Sequence, residues 1–139
     1  MSDADKIEVK TNINAGLDKV WEYWTAPKHI EKWNNASDDW ITPKAENDLN
    51  KGGRFVYRME AKDGSFGFDF GGTYTEVKTN EFLAYILDDD RKVTVKFEEK
   101  NDKIELTETF EPENQNPTQM QKDGWQAILD NFKKYTEEN

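Results

Sequence analysis

The sequence predicts an α+β fold: a curved antiparallel sheet of about seven strands wrapped around a long C-terminal helix, with two short helices after the first strand. Two observations carry this. Between Thr118 and Glu138, the residues Trp125, Ile128, Leu129, Phe132 and Tyr135 recur at steps of three and four, which places them on one helical face. Upstream, short strand-like segments follow one another at hairpin spacing, and consecutive hairpins build an antiparallel sheet. Such a sheet needs cover on one face, and a helix about 30 Å long at ~1.5 Å per residue is long enough to provide it.

In chain order, Ile7, Val9, Thr11 and Ile13 alternate with polar residues, which predicts a half-buried strand. Asn14-Ala15-Gly16 breaks it. Leu17, Val20, Trp21 and Trp24 predict a short helix closed by Thr25-Ala26-Pro27. Pro27 suits the first turn of a second helix, where its missing N–H costs nothing, and Ile30 and Trp33 share that helix's inner side. Asn34 to Asp39 reads as loop. Trp40 to Lys44 reads as a strand ended near Pro43, and Glu46 to Lys51 as loop. Arg54 to Ala61 is a strand with Phe55, Tyr57 and Met59 on one face. Lys62-Asp63-Gly64-Ser65 is a hairpin turn. Phe66, Phe68 and Phe70 alternate along the next strand, and Gly71-Gly72 suggests a bulge or bend within it. Tyr74 to Val77 continues it. Strands over Glu81 to Leu87, Arg91 to Glu99 and Lys103 to Phe110 are separated by Asp88-Asp89-Asp90 and Asn101-Asp102 turns. A polar linker with two prolines, Glu111 to Pro117, leads into the long helix.

The composition bounds the function. With 139 residues the chain has the size of one domain, expected over 1–139 with its core over 5–136. Five Trp, five Tyr and eight Phe supply bulky core material and argue against disorder. A formal net charge of −10 repels phosphate backbones and anionic lipid heads, so no nucleic-acid partner is expected. Membrane insertion is not expected either, because no apolar stretch approaches ~20 residues. Neither Cys nor a basic, apolar leader is present at the N-terminus, and a cytoplasmic location is expected.

Several local words resemble a known family. Asn14-Ala15 followed by Val20-Trp21, then Thr25-x-Pro27-x-x-Ile30-x-x-Trp33, resembles the N-terminal signature of START-like, helix-grip domains. More narrowly it resembles the Activator of Heat-shock-protein-90 ATPase homologue family. Gly52-Gly53-Arg54-Phe55, Gly72-x-Tyr74-x-Glu76-Val77 before Glu81-Phe82-Leu83, and Gly124-Trp125-x-x-Ile128-Leu129-x-x-Phe132 are similar to later words of that family. The likeness runs from about Lys6 to Tyr135. It implies a seven-stranded sheet gripping the C-terminal helix around a cavity, which relatives use for apolar ligands. It also implies a chaperone as an alternative partner, although 139 residues leave no room for the separate chaperone-binding domain of the eukaryotic activators.

Candidate chemistry is sparse. His29 is the only histidine, so triads and multi-histidine metal sites are excluded, and no metal or cofactor is expected. It is placed on a helix surface or a cavity rim. Asp88-Asp89-Asp90 reads as a solvated turn. Trp33, Trp40, Tyr57, Met59 and Phe68 are candidates for a pocket wall, with core packing as the alternative. Phe68 and Asp69 take opposite faces of one strand; Asp69 faces inward if the Phe row turns out beside the glycines. Glu108 shares parity with Ile104, Leu106 and Phe110, so it faces either a cavity or water at an edge. On the long helix, Met120, Gly124 and Ile128 mark where packing loosens; Gly124 either admits close strand approach or leaves room for a ligand. The reading that follows is non-catalytic binding of a small apolar or amphipathic molecule between sheet and helix. The alternatives are a co-chaperone-like interaction and an enzyme using Glu108 or Asp69 as acid or base.

Overall fold

The computed structural model describes Lys6–Asn139; the first five residues of the expected 1–139 domain, the last of them the first of the expected 5–136 core, lie outside the described residues. The elements run β1 (Ile7–Ile13), α1 (Leu17–Thr25), α2 (Pro27–Trp33), β2 (Trp40–Asn47), β3 (Arg54–Ala61), β4 (Gly67–Lys78), β5 (Phe82–Leu87), β6 (Lys92–Lys100), β7 (Lys103–Phe110) and α3 (Thr118–Glu138). The strands form one antiparallel sheet in the order β1-β7-β6-β5-β4-β3-β2, curled into a half-barrel. Strands β2 to β7 are joined by successive hairpins, while β1 pairs with β7 from Ile7↔Phe110 to Ile13↔Ile104. The helix α3 lies against β1 and α2 against β2, so helices brace both ends of the sheet. This is the predicted helix-grip architecture. Among the described residues no helix is long and apolar enough to cross a membrane.

Two local expectations are corrected. Strand β2 does not stop near Pro43; it continues to Asn47, with a register irregularity between Ile41 and Lys44. β2 is an outermost strand, where a proline need not break a central ladder. Gly71 and Gly72 are not a bulge against β3, because Val56↔Gly71 and Phe55↔Gly72 stay in register. The irregularity comes later, between Tyr74 and Glu76 against β5. A Cβ on Gly72 would stand 2.7 Å from the Ile86 carbonyl oxygen and 3.0 Å from the Phe55 ring. Glycine is needed there so that Phe55 can lie flat across the strand.

The turns follow their residue chemistry. Asn80, Asp90, Asn101 and Asp102 adopt positive φ. The consecutive pair Asn101-Asp102 closes the tight hairpin that sets Lys100 opposite Lys103. That turn fixes the register of β7, on which Ile104, Leu106, Glu108 and Phe110 are all buried while their neighbours are not.

Helix α3 buries Leu129 and Phe132 completely. Its polar flank is tied to the edge strand. Gln126 donates to the Lys10 carbonyl at 3.0 Å, Lys133 donates to the Asn12 carbonyl at 2.6 Å, and Glu137 accepts the Asn14 N–H at 2.8 Å. These side chains occupy backbone groups that an outer strand otherwise leaves open for pairing with another chain. They also set the height at which α3 crosses the sheet.

Candidate ligand pocket

A pocket of about 200 Å³ lies between the inner face of the sheet and the middle of α3. Alternation along β3 and β4 builds one wall. Phe55, Tyr57 and Met59 point inward from β3, and Phe68, Phe70 and Tyr74 from β4. The register sets Tyr57 opposite Phe70 and Met59 opposite Phe68. Trp125 and Ile128 cover the pocket from α3. Trp125 is held flat by stacking on Phe110, with ring centroids 3.8 Å apart. Trp24 and Trp33 form the end wall as a stacked pair 4.8 Å apart. The Trp33 indole donates to the Tyr23 carbonyl at 2.8 Å, which locks its orientation. Nine of the fourteen lining residues are aromatic.

Glu108 enters this apolar space from β7, beside Leu83 and Tyr85 of β5. It is only 6% exposed and has no hydrogen-bond partner among the described residues. Burial disfavours its charged form and pushes its carboxyl up to about 8. Burial also pushes the Tyr57 and Tyr85 phenols well above their usual range, and the nearby Glu108 adds to both shifts. Tyr74 is raised to about 12 by burial, while it donates to Asn47 Oδ1 at 2.7 Å. The site therefore favours a neutral carboxylic acid among aromatic rings near neutral pH.

The structure brings together Trp33, Tyr57, Met59, Phe68, Glu108 and Ile128 around this pocket. The remaining candidates stand elsewhere. Trp40 packs on Phe66 and Phe68, at 6.1 and 6.0 Å between ring centroids, at the turn end of the β3–β4 hairpin. Asp69 faces outward, since Phe68 and Phe70 point in, and pairs with Arg58 at 3.4 Å. Its inward orientation is corrected by strand parity alone. Met120 is 59% exposed in the first turn of α3. Gly124 neither lines the pocket nor packs closely: a Cβ there would meet nothing within 4 Å. Gly124→Ala is accordingly expected to stabilise the protein by about 0.5–1 kcal/mol through helix propensity, raising the denaturant midpoint without changing the slope. A loss of stability would show that the helix needs the glycine for another reason.

His29 does not line the pocket; it is half-buried on the outer side of α2, 3.8 Å from the exposed Glu22 carboxylate. Its ring stacks on Tyr23 at 3.9 Å, and its Nδ1 is 2.8 Å from the Tyr135 hydroxyl. Burial is the first cause holding its pKa below the usual value, with the Lys28 charge second. Sequence reasoning missed Phe55, Phe70, Tyr85 and Trp125 as lining residues. Phe55 and Phe70 carried the same parity signal as Tyr57 and Phe68. Helical spacing places Trp125 in the helix core, where its stacking on Phe110 does put one of its faces.

The family model for Activator of Hsp90 ATPase homolog 1-like protein matches residues 14–137. A solution structure of the AHSA1-like protein from Aeromonas hydrophila is 44% identical, covers 96% of this chain and 92% of its own, and superposes with a TM-score of 0.90. A solution structure from Cytophaga hutchinsonii is 50% identical, covers 97% of this chain and 94% of its own, with a TM-score of 0.85. A crystal structure from Chromobacterium violaceum, 22% identical over 96% of this chain and 98% of its own, shares the fold at a TM-score of 0.85. No curated protein matches the chain. Family and fold together support a ligand-binding or co-chaperone-like domain. From the first-helix words to the closing helix, the chain belongs to the family of Activator of Hsp90 ATPase homolog 1-like proteins.

Proposed function

We propose that the protein binds a small apolar or amphipathic molecule between the sheet and α3, without transforming it. The observation that carries this is the aromatic pocket with one buried carboxyl. Its volume of about 200 Å³ suits a small ligand rather than one filling a site of ~300–1,000 Å³. Acid–base catalysis needs a positioned proton donor or acceptor matched to a partner. Glu108 has no hydrogen-bonded partner among the described residues, which favours binding over chemistry.

The test is an NMR shift screen against lipids and aromatic metabolites, followed by Ile128→Trp. The expected shifts cluster at Trp33, Tyr57 and Ile128, and filling the pocket weakens binding at least about tenfold, or ~1.4 kcal/mol. Shifts that map to another surface, or binding undiminished in Ile128→Trp, would sink the reading.

One observation favours a second reading, contact with a chaperone of the heat-shock-protein-90 type. Trp40, Phe66 and Phe68 form an aromatic cluster at the hairpin end, and Phe66 is 61% exposed. Exposed aromatic groups of this kind are enriched at protein interfaces. Added protein is then expected to raise the chaperone's ATPase rate, and Phe66→Asp to remove the effect. No stimulation at saturating protein would eliminate this role.

A further inference from the structure

The charge inventory of the pocket restricts its ligand further, an inference that rests on the binding reading above. The polar groups its lining residues carry are the Glu108 carboxyl, the phenols of Tyr57, Tyr74 and Tyr85, the Asn34 amide and the neutral indole N–H groups of Trp24, Trp33 and Trp125, of which that of Trp33 already donates to the Tyr23 carbonyl. Among the described residues no Lys, Arg or His lines it. The elements packed around Glu108 agree. Tyr57 of β3 and Tyr85 of β5 feel its charge, and Tyr74 of β4 and Trp125 and Ile128 of α3 share the pocket with it. Its register partners on β1 and β6 are Val9 and Val95. None of these carries a positive charge.

An anionic ligand would leave its charge desolvated beside a carboxyl, with no counter-charge, which is costly. A cation has the opposite balance. Its attraction to a carboxylate strengthens as water is excluded, and aromatic ring faces attract it in addition. The chain's net charge of −10 also raises the local concentration of cations around the mouth. We propose that this pocket is a site for a small organic cation, an aromatic or short-chain amine whose ammonium sits against Glu108 while its apolar part lies between the aromatic walls.

The proton balance follows. Near neutral pH the empty pocket holds Glu108 largely protonated. An incoming ammonium keeps its own protons, so the Glu108 proton leaves to solvent as the ion pair forms. Binding releases close to one proton per ligand below the Glu108 pKa. Affinity then rises toward about tenfold per pH unit in that range, as linkage requires.

The experiment uses three matched probes, 2-phenylethylamine, 2-phenylethanol and phenylacetate, with the full chain. Calorimetry and pocket NMR shifts are followed in buffers of different ionisation enthalpy. The amine is expected to bind at least about tenfold tighter than the alcohol, with proton release, and phenylacetate at least about tenfold weaker than the alcohol. In Glu108→Gln the amine's advantage falls to about threefold or less. Retained alcohol binding and an unchanged amide spectrum verify that this variant is folded. Phenylacetate binding as well as the amine, or an amine preference that survives Glu108→Gln, overturns the inference. Alcohol binding with no amine preference overturns the cation inference while leaving the pocket reading intact. If none of the three binds, the cation inference falls, and the broader ligand screen decides the pocket reading separately.

Discussion

At pH ~8.5 the Glu108→Gln variant is expected to unfold well above the wild-type protein, while near pH 4.5 the two unfold at similar temperatures. The cause is the proton that Glu108 keeps on folding. Its carboxyl is raised from 4.5 to about 8 by burial. A raised carboxyl pKa means that the folded state binds more protons than the unfolded chain between those two values. Stability from the neutral form is fully present below about 4.5 and is lost progressively as pH rises toward about 8. At ~1.4 kcal/mol per pKa unit, the whole shift corresponds to roughly 4–5 kcal/mol. Glutamine keeps the shape and cannot ionise, so its advantage grows across that window and levels off above it. His29 slopes the other way, because its lowered pKa costs stability as pH falls. The difference between variant and wild type cancels His29 and isolates Glu108. Paired denaturation curves across pH provide the measurement, and parallel curves would show that Glu108 ionises freely in the folded protein.

Phe132→Ala is expected to cost about 3–5 kcal/mol, the range for removing a fully buried aromatic side chain. Phe132 is fully buried on α3. Its ring stands edge-on to Trp24 at 4.9 Å and to Trp33 at 4.8 Å. The loss is therefore area, cavity and two ring contacts together. A domain of this kind is stable by ~5–15 kcal/mol, so this one change removes a large share. It also frees the Trp24–Trp33 pair that closes one end of the pocket. Urea unfolding checks the magnitude, and a cost under ~1.5 kcal/mol would mean that α2 and α3 collapse into the space.

The architecture was legible because period and punctuation agree along this chain. β1, β3, β7 and α3 begin and end where alternation, helical spacing and turn residues place them. The strand parity of Glu108 was also legible; whether its face met water or a cavity was not. That depends on β7 lying between β1 and β6, and pairing partners are not written in local pattern. Asp69 failed for a related reason. The glycines beside it suggested a turn of the Phe row, but they serve a close approach to Phe55 and the parity continues. Met120 continued the helical pattern toward the N-terminus of α3, and spacing cannot tell where a helix runs past the edge of its sheet. The stacked Trp24–Trp33 wall lies on two helices joined at a proline, and only tertiary geometry brings the rings face to face.

The pairing of β1 with β7 also has a consequence in time. Ile7 and Phe110 are partners, so β1 leaves the ribosome well before β7 and cannot complete its ladder until β7 emerges. At ~5–20 residues per second that wait lasts roughly 5–20 s. During it β1 presents an apolar row, Ile7, Val9 and Ile13, with no strand beside it. Contacts between such distant segments also slow folding in general, because a long loop must close before they form. The β2–β7 meander can assemble from local hairpins first. Arrival of β1, followed by docking of α3 through Gln126, Lys133 and Glu137, is then the late event that encloses the pocket.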